Sequence, residues 1–365
     1  MEIEYRWFTV DQSRALVSKA NNGSLSSILK KALNSAQNAC SNDVIALLAL
    51  DGETVAGRIF FTYGHFSSAS GNIRIAAAQA LFTTTEYRGR GIASTFASKC
   101  NEMNVPCFHS GLSHRSLRLF EKLGFYFIDR SPVYQIPIHS KGILKEWRNR
   151  LDRLNAEDRK LSNVARILSQ VLKARRAVLK KNASEFFCLP PSLSCLAIEQ
   201  LMETRYKPFQ IPWDKDLVLG AVKGNNSRLR VLALKNKSKT SEEIFFITIY
   251  NEVRQVRLPG GAKKVTFMNG LVNEIYPPPP TKKVAISLLR SVTVMAKIWG
   301  FDNLSVCAMT LGLEEACQSL GLNYYGRKSL AIQPNGLNKD LADKVKEPEN
   351  WWCRAFNEDM VEEAK

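Results

Sequence analysis

The chain has 365 residues, 45% of them hydrophobic and 23% charged, which fits a globular protein with room for two domains and excludes a disordered or low-complexity chain. No uninterrupted apolar run is long enough to span a bilayer, and MEIEYRWFTV lacks the basic start and apolar core of a signal peptide, so a soluble, cytoplasmic protein without a membrane partner is expected. The formal charge is +17, and residues 141–182 hold 13 Lys and Arg against 4 Asp and Glu, an excess of 9 in one short segment.

Ile3 to Val10 alternates and is rich in aromatics, which predicts a strand. Asp11 then caps a helix through Ala20, and Asn-Asn-Gly at 21–23 breaks it before a second helix, Leu25 to Ala36. Val44–Leu50 and Thr54–Tyr63 read as strands joined by the hairpin signal Asp51-Gly52-Glu53. Ile73–Thr83 is apolar in its middle, as a central strand would be. Residues 92–103 place Ile92, Ala93, Phe96, Ala97, Cys100 and Met103 on one helical face. A short strand, Val105–His109, precedes a helix that ends at Leu123, with Gly124 at the left-handed stop. Strands Phe125–Ile128 and Val133–Ile138 are expected to close this first unit.

One loop in this run carries chemistry. A strand enters Glu86-Tyr87-Arg88-Gly89-Arg90-Gly91-Ile92-Ala93, and the loop opens a helix. Two glycines let successive N–H groups point into one concavity, and the helix N-terminus adds partial positive charge. The result is either an anion cradle of pyrophosphate size or a tight turn with solvated arginines.

The order of elements and two motifs resemble the GNAT superfamily of acyl-CoA N-acyltransferases. Arg88, Gly91 and Ala93 match its signature R/Q-x-x-G-x-G/A. The run Ser113-His-Arg-Ser116-Leu-Arg-Leu-Phe120-Glu-Lys-Leu-Gly-Phe125 is similar to its second motif, N-x-x-A-x-x-L-Y-x-K-x-G-F. The resemblance implies an α/β fold with a mixed sheet and an acetyl-CoA co-substrate. Its pyrophosphate would lie on Arg88, Gly89, Arg90, Gly91, Ile92, Ala93 and Ser94, and its pantetheine arm beside Leu81, Phe82 and Thr83. Ser116 and Phe120 would also border the cofactor. An N-acetyltransferase acting on an amine follows, on a small molecule, a protein or a nucleic acid; the alternative is a non-catalytic scaffold that binds acyl-CoA or nucleic acid.

The departures bear on catalysis. The family's tyrosine, which protonates the leaving thiolate, falls at Phe120, and its asparagine at Ser113. Tyr126 is the nearest other phenol in sequence. His109 is a candidate base, or a histidine satisfied by local hydrogen bonds; Ser113 is a candidate polar group. His65 could line an acceptor pocket, and Glu86 reads as structural.

Beyond residue 140 the sequence predicts a basic amphipathic connector, 141–186, with Leu144, Trp147, Leu151, Leu161, Leu168, Val171, Leu172 and Val178 at helical spacing. Its stripe could pack on a neighbouring domain or a second chain, and its cations could face nucleic acid or a membrane surface. Residues 187–365 resemble a second, degenerate copy of the 1–140 domain. Strands are expected at Val218–Val222, Leu229–Leu234, Ile244–Tyr250 and Val265–Ile275, then a helix Lys283–Trp299 and a strand Leu304–Met309. Tyr276-Pro277-Pro278-Pro279-Pro280-Thr281 stands where the glycines would be, and proline has no N–H to offer. The eight cysteines show no C-x-x-C pair, so reduced thiols and no metal site are expected.

Overall fold

A computed structural model describes residues 3–19, 23–36, 38–68, 71–110, 114–129, 131–143, 161–179, 185–203, 209–210, 215–224, 226, 229–237, 243–257, 264–327, 329–347 and 351–352. Two compact units emerge. The first joins Met1–Arg130 with Lys207–Pro212 and Ser329–Lys365; the second joins Ser131–Tyr206 with Trp213–Lys328.

The chain begins with β1 (Glu4–Thr9), α1 (Val10–Lys19), α2 (Ser24–Ser35), β2 (Val44–Asp51), β3 (Thr54–Ser68) and β4 (Gly71–Thr83). There follow α3 (Ile92–Cys100), β5 (Cys107–Ser110), α4 (His114–Lys122), β6 (Tyr126–Asp129), β7 (Pro132–Pro137) and α5 (Leu161–Val178). Next come β8 (Phe186–Cys188), α6 (Pro191–Glu203), β9 (Phe209–Gln210), α7 (Lys215–Val222), β10 (Leu229–Asn236), β11 (Ile244–Arg257) and β12 (Lys264–Tyr276). Last are α8 (Lys282–Ile298), β13 (Asn303–Cys307), α9 (Leu311–Ser319), β14 (Asn323–Arg327), β15 (Leu330–Gln333), α10 (Lys339–Lys346) and β16 (Trp351–Trp352).

The first sheet runs β1-β2-β3-β4-β5-β15-β6, and the second runs β8-β10-β11-β12-β13-β7-β14. The two orders correspond place for place. Off the first path, β16 pairs parallel with β9, which joins β3; along the two paths each sheet has antiparallel strands up to a central one, then one parallel pair, β4 with β5 and β12 with β13. A helix makes each crossover, as a parallel pair requires. The elements also repeat along the chain: strand, two helices, three strands, helix, strand, helix, strand. A tandem arrangement of one α/β unit is therefore visible in topology, although the two sequences diverge.

Two expectations are corrected. Val133–Ile138 was expected to close the first sheet, but β7 sits in the second, between β13 and β14. Its place in the first sheet is taken by β15, which pairs antiparallel with β5 and β6. Alternation tells which way a strand's side chains point and not which strand it joins. Val218–Val222, expected as a strand, lies in helix α7. A short apolar run has no period that separates strand from helix. As a helix, it supplies the second helix of the repeat.

Both faces of the first sheet are covered, which explains the unbroken apolar run of β2. Leu47 and Ala49 share a core with Ile92 and Phe96 of α3, while Ala46, Leu48 and Leu50 share one with Leu29 and Ala32 of α2. In the second unit, α5 buries Ala174 and Val178 with β7, α8 and α9 in the main core. Arg175 Nε donates to the Ile138 carbonyl at 2.8 Å, while Arg166, Lys173 and Arg176 are exposed. Of the connector, residues 144–160 and 180–184 lie outside the described residues.

The exchanged strand should be essential to the first unit. Ile332 on β15 is fully buried. Ile332→Ala is predicted to destabilise that unit by about 2–5 kcal/mol, the usual cost of a buried large-to-small change, measured by urea unfolding.

Candidate functional site

The site is built where β4 ends. β4 pairs with β5 only at Ala76, Ala77 and Ala78, opposite Cys107, Phe108 and His109. β5 then stops at Ser110 while β4 continues to Thr83, so among the described residues the last residues of β4 have a partner strand, β3, on one edge only. In this stretch the β3 register shifts. Arg58 pairs with Phe82 but Phe60 with Gln79, so Ile59 faces both Ala80 and Leu81. Ala80 has φ +50°, a left-handed backbone rare for a residue with a side chain. A bulge of this kind re-aims the backbone that follows it. Beyond it Leu81 packs on the core, whereas Phe82 is exposed under the Arg58 guanidinium at 5.4 Å.

The loop then turns through a short 3-10 helix, Thr85–Tyr87. Its foot is tied down twice. Thr84 donates from N and Oγ1 to the Ala56 carbonyl, and Tyr87 donates its hydroxyl to Asp51 at 2.7 Å. That hydrogen bond to Asp51 raises the Tyr87 pKa above the ordinary phenol value. Arg90 covers the Tyr87 ring at 5.0 Å.

Gly89 and Gly91 have φ of +84° and +78°, so a side chain at either would be strained. Gly91 is the N-cap of α3 and makes no side-chain cap. The first amides of a helix have no acceptor within it, so those of Ile92, Ala93 and Ser94 point to the mouth of the loop. The Ser94 hydroxyl turns back to the Gly91 carbonyl at 2.6 Å. Ile92 itself is buried and reaches β3 at Gly57, where an added Cβ would lie 2.8 Å from Ile92 Cγ2. Glycine at 57 is what lets the first turn of α3 sit this close to the sheet. Arg88, Gly89, Arg90 and Gly91 are all exposed. The arrangement offers oriented amides, a helix dipole and two cations in one place, which suits an anion such as a pyrophosphate.

The other sequence candidates lie differently. Phe120 is fully buried, its ring 4.4 Å from His109 and 4.8 Å from Phe125. His109 is only 3% exposed and lies in the same ring cluster, away from solvent. A base must meet its substrate, and this packing leaves His109 no such access. Tyr126 is exposed, with Lys346 Nζ 4.9 Å above its ring. His65 is exposed on β3 and Glu86 on the 3-10 turn. Ser113 and the Ser116 side chain lie outside the described residues.

Sequence reasoning missed one group. Cys100, Cys107 and His109 are buried together, their ligand atoms within 4.8 Å of one another. Hydrogen bonding from Cys107, against the opposing effect of burial, holds the Cys100 thiol down to about 6. The C-x6-C-x-H spacing is the only trace this cluster leaves in the sequence, and it matches no standard ligand spacing.

No family model matches the chain, and no curated protein matches it. Solved structures do. A crystal structure of Saccharomyces cerevisiae N-myristoyltransferase with bound myristoyl-CoA matches at a TM-score of 0.52 and 10% identity, over 92% of this chain and 86% of that one. A second, with bound myristoyl-CoA and inhibitors, matches at 0.52 and 11%, over 95% and 85%. A GCN5-related N-acetyltransferase from Anabaena variabilis aligns at 0.44 and 10%, over 91% and 73%. The chain shares the mixed-sheet α/β fold of these N-myristoyltransferase structures, and its two sheets repeat one topology.

Because Phe120 is packed on every side, restoring a phenol there should not help. Phe120→Tyr is predicted to destabilise the protein by about 1–3 kcal/mol, as overpacking does, with no gain in any transfer activity. Paired urea-unfolding and rate measurements check both parts.

Proposed function

We propose that the chain is an acyl-CoA-dependent N-acyltransferase that moves an acyl group, acetyl as the leading donor, onto an amine. The observation that carries this reading is the uncapped, exposed Gly89–Gly91 turn opening α3 beside the open edge of β4. Acyl-CoA supplies an activated thioester. The amine nitrogen attacks its carbonyl carbon, the C–N bond forms, the C–S bond breaks, and the proton that the nitrogen gives up to water is balanced by the one that the departing thiolate takes up.

The chain's own groups would act as follows. Amides of Gly89, Gly91, Ile92, Ala93 and Ser94 hold the pyrophosphate, with Arg88 and Arg90 adding charge. The open edge of β4 from Gln79 to Thr83 takes the pantetheine arm as a further strand would be taken. An amide of that edge stabilises the oxyanion, and the bulge at Ala80 sets its direction. The yeast enzyme of similar fold is described with bound myristoyl-CoA, so a longer acyl chain is the donor to test against acetyl. The second reading, a non-catalytic binding protein, draws on Phe120, which has no proton to give and is sealed in the core.

Gly91→Glu should abolish acetyl-CoA binding in a folded protein, because side chain and charge would occupy the phosphate's place. Gly91→Ala should cost about 1–2 kcal/mol through the left-handed backbone and weaken binding less. Calorimetry with acetyl-CoA, then myristoyl-CoA, reads both; unchanged affinity in Gly91→Glu overturns the site. Release of free CoA only when an amine is present separates the enzyme from the scaffold.

The acceptor could be carried on a nucleic acid held by the basic helix α5. Its exposed cations would neutralise phosphates, so affinity should fall steeply with salt. Replacing Arg166, Lys173 and Arg176 together by Gln should shallow that slope by up to about three phosphate equivalents, whatever the base sequence. Fluorescence anisotropy against tRNA and duplex DNA measures it. Absence of binding to either at low salt removes this acceptor class.

A further inference from the structure

Three residues that sequence spacing keeps apart meet at the far end of α3 from the phosphate loop. Cys107 and His109 are two apart on β5, so their side chains leave the strand on one face. α3 shares a core with that strand, and its last residue, Cys100, is buried against it. The helix end is fixed there by Asn335, which donates to the Cys100 carbonyl at 2.8 Å. Cys100 and Cys107 are fully buried and His109 is 3% exposed. Phe120 and Phe125 wall the imidazole at 4.4 and 5.0 Å.

The separations suit a metal. Cys107 Sγ lies 3.7 Å from His109 Nε2, and all three donor atoms lie within 4.8 Å of one another. Tetrahedral zinc, with bonds of about 2.3 Å to sulfur and 2.0 Å to nitrogen, sets those two atoms about 3.6 Å apart. Two sulfurs and an imidazole are soft to borderline donors, which rules out the oxygen-seeking calcium and magnesium. Charge decides between the remaining ions. Two thiolates with a divalent cation give a neutral complex, whereas copper(I) would leave a net negative charge in a buried site, at a heavy desolvation cost.

We propose that Cys100, Cys107 and His109 bind one zinc(II) ion that fastens the end of α3 to β5. Binding displaces the two thiol protons, and a water fills the fourth tetrahedral position. The ion would join the helix that carries the phosphate loop to the strand paired with β4. It would thus steady the loop from behind without touching a substrate. The assignment is independent of the acyltransferase reading, since its readouts are metal content and spectra.

The test uses the full chain, reduced and stripped by a chelator under exclusion of air, then titrated with cobalt(II) alone and back-titrated with zinc(II). Wild type should take up one equivalent of cobalt, with thiolate-to-cobalt charge transfer and tetrahedral visible bands that zinc then erases. Zinc should also raise the unfolding temperature by mass action. Cys107→Ala should lose the bands, and His109→Ala should lose at least about tenfold in affinity. Cys317→Ala, a buried thiol in the second unit, should behave as wild type. If Cys107→Ala does not fold, Cys100→Ala serves in its place. A folded, reduced wild type without the charge-transfer band overturns the proposal, as does full cobalt binding in either cysteine variant. So does a loss of two hydrogens in the unreduced protein with Cys100 and Cys107 crosslinked, which would assign the pair to thiol oxidation.

Discussion

The first unit is organised around the shortness of one parallel pairing. β4 and β5 share only three residue pairs, and β5 ends while β4 runs on. β3 stays with β4 to Thr83, so among the described residues the end of β4 is paired on one edge and unpaired on the other. Unpaired strand edges are usually covered or blunted because they recruit other strands. Here the edge leads directly into a glycine turn and a helix N-terminus. An extended ligand with an anionic end is the chemical partner that such a sequence of groups fits. The bulge at Ala80 belongs to the same design. One extra residue on β4 turns the amides beyond it, and the unfavourable φ of Ala80 is held by the pairing on either side.

The second unit also has a short parallel pairing and a one-residue bulge, without the left-handed backbone of Ala80, and it has a different ending. β12 pairs with β13 at four residues, then continues to Tyr276, and the β11 register slips at Asn273. After that the resemblance stops. Pro277 to Pro280 have no N–H groups, and Thr281 accepts the amide of Val284 in its own hydroxyl, at 3.3 Å. At the corresponding place Gly91 has no side chain and supplies no cap to the first amides of α3. A threonine cap stabilises a helix by about 1 kcal/mol, and it does so by consuming one of the donors that an anion would need. The first unit forgoes that stabilisation and leaves its helix start open to the proposed phosphate. The second takes the cap, and its loop could not hold a phosphate in the same way.

How much of this could be read from the sequence depended on range. The Gly89–Gly91 turn, the Asp51-Gly52-Glu53 hairpin and the stop at Gly124 were legible because φ, turn type and capping are set within a few residues. The exchange of β7 and β15 was not, since nothing in Pro132–Pro137 or Leu330–Gln333 names a partner strand. Phe120 was read at its motif position as a missing acid. Its burial against His109 and Phe125 required the fold, because a ring cluster joins residues whose spacing has no period. Cys100, Cys107 and His109 show the same limit. A helix end and a strand start bring them together, and no local pattern records that meeting.

The same burial reshapes the proton problem of the proposed reaction. Four ring side chains near these motifs are unavailable or otherwise engaged. Phe120 has no hydroxyl, His109 is sealed in rings, and Tyr126 lies beneath Lys346. Tyr87 spends its proton on Asp51 and is held in its neutral form by that bond. What the site does present in quantity is backbone. Amides stabilise an oxyanion without changing their own charge, and a departing thiolate is a far weaker base than an amine, so water suffices to protonate it. On this view the demanding step is delivery of the acceptor as a neutral amine. The groups that decide it would then be those that bind the acceptor, and the proposed acyl-CoA half of the site, built from glycines and a strand edge, does not include them.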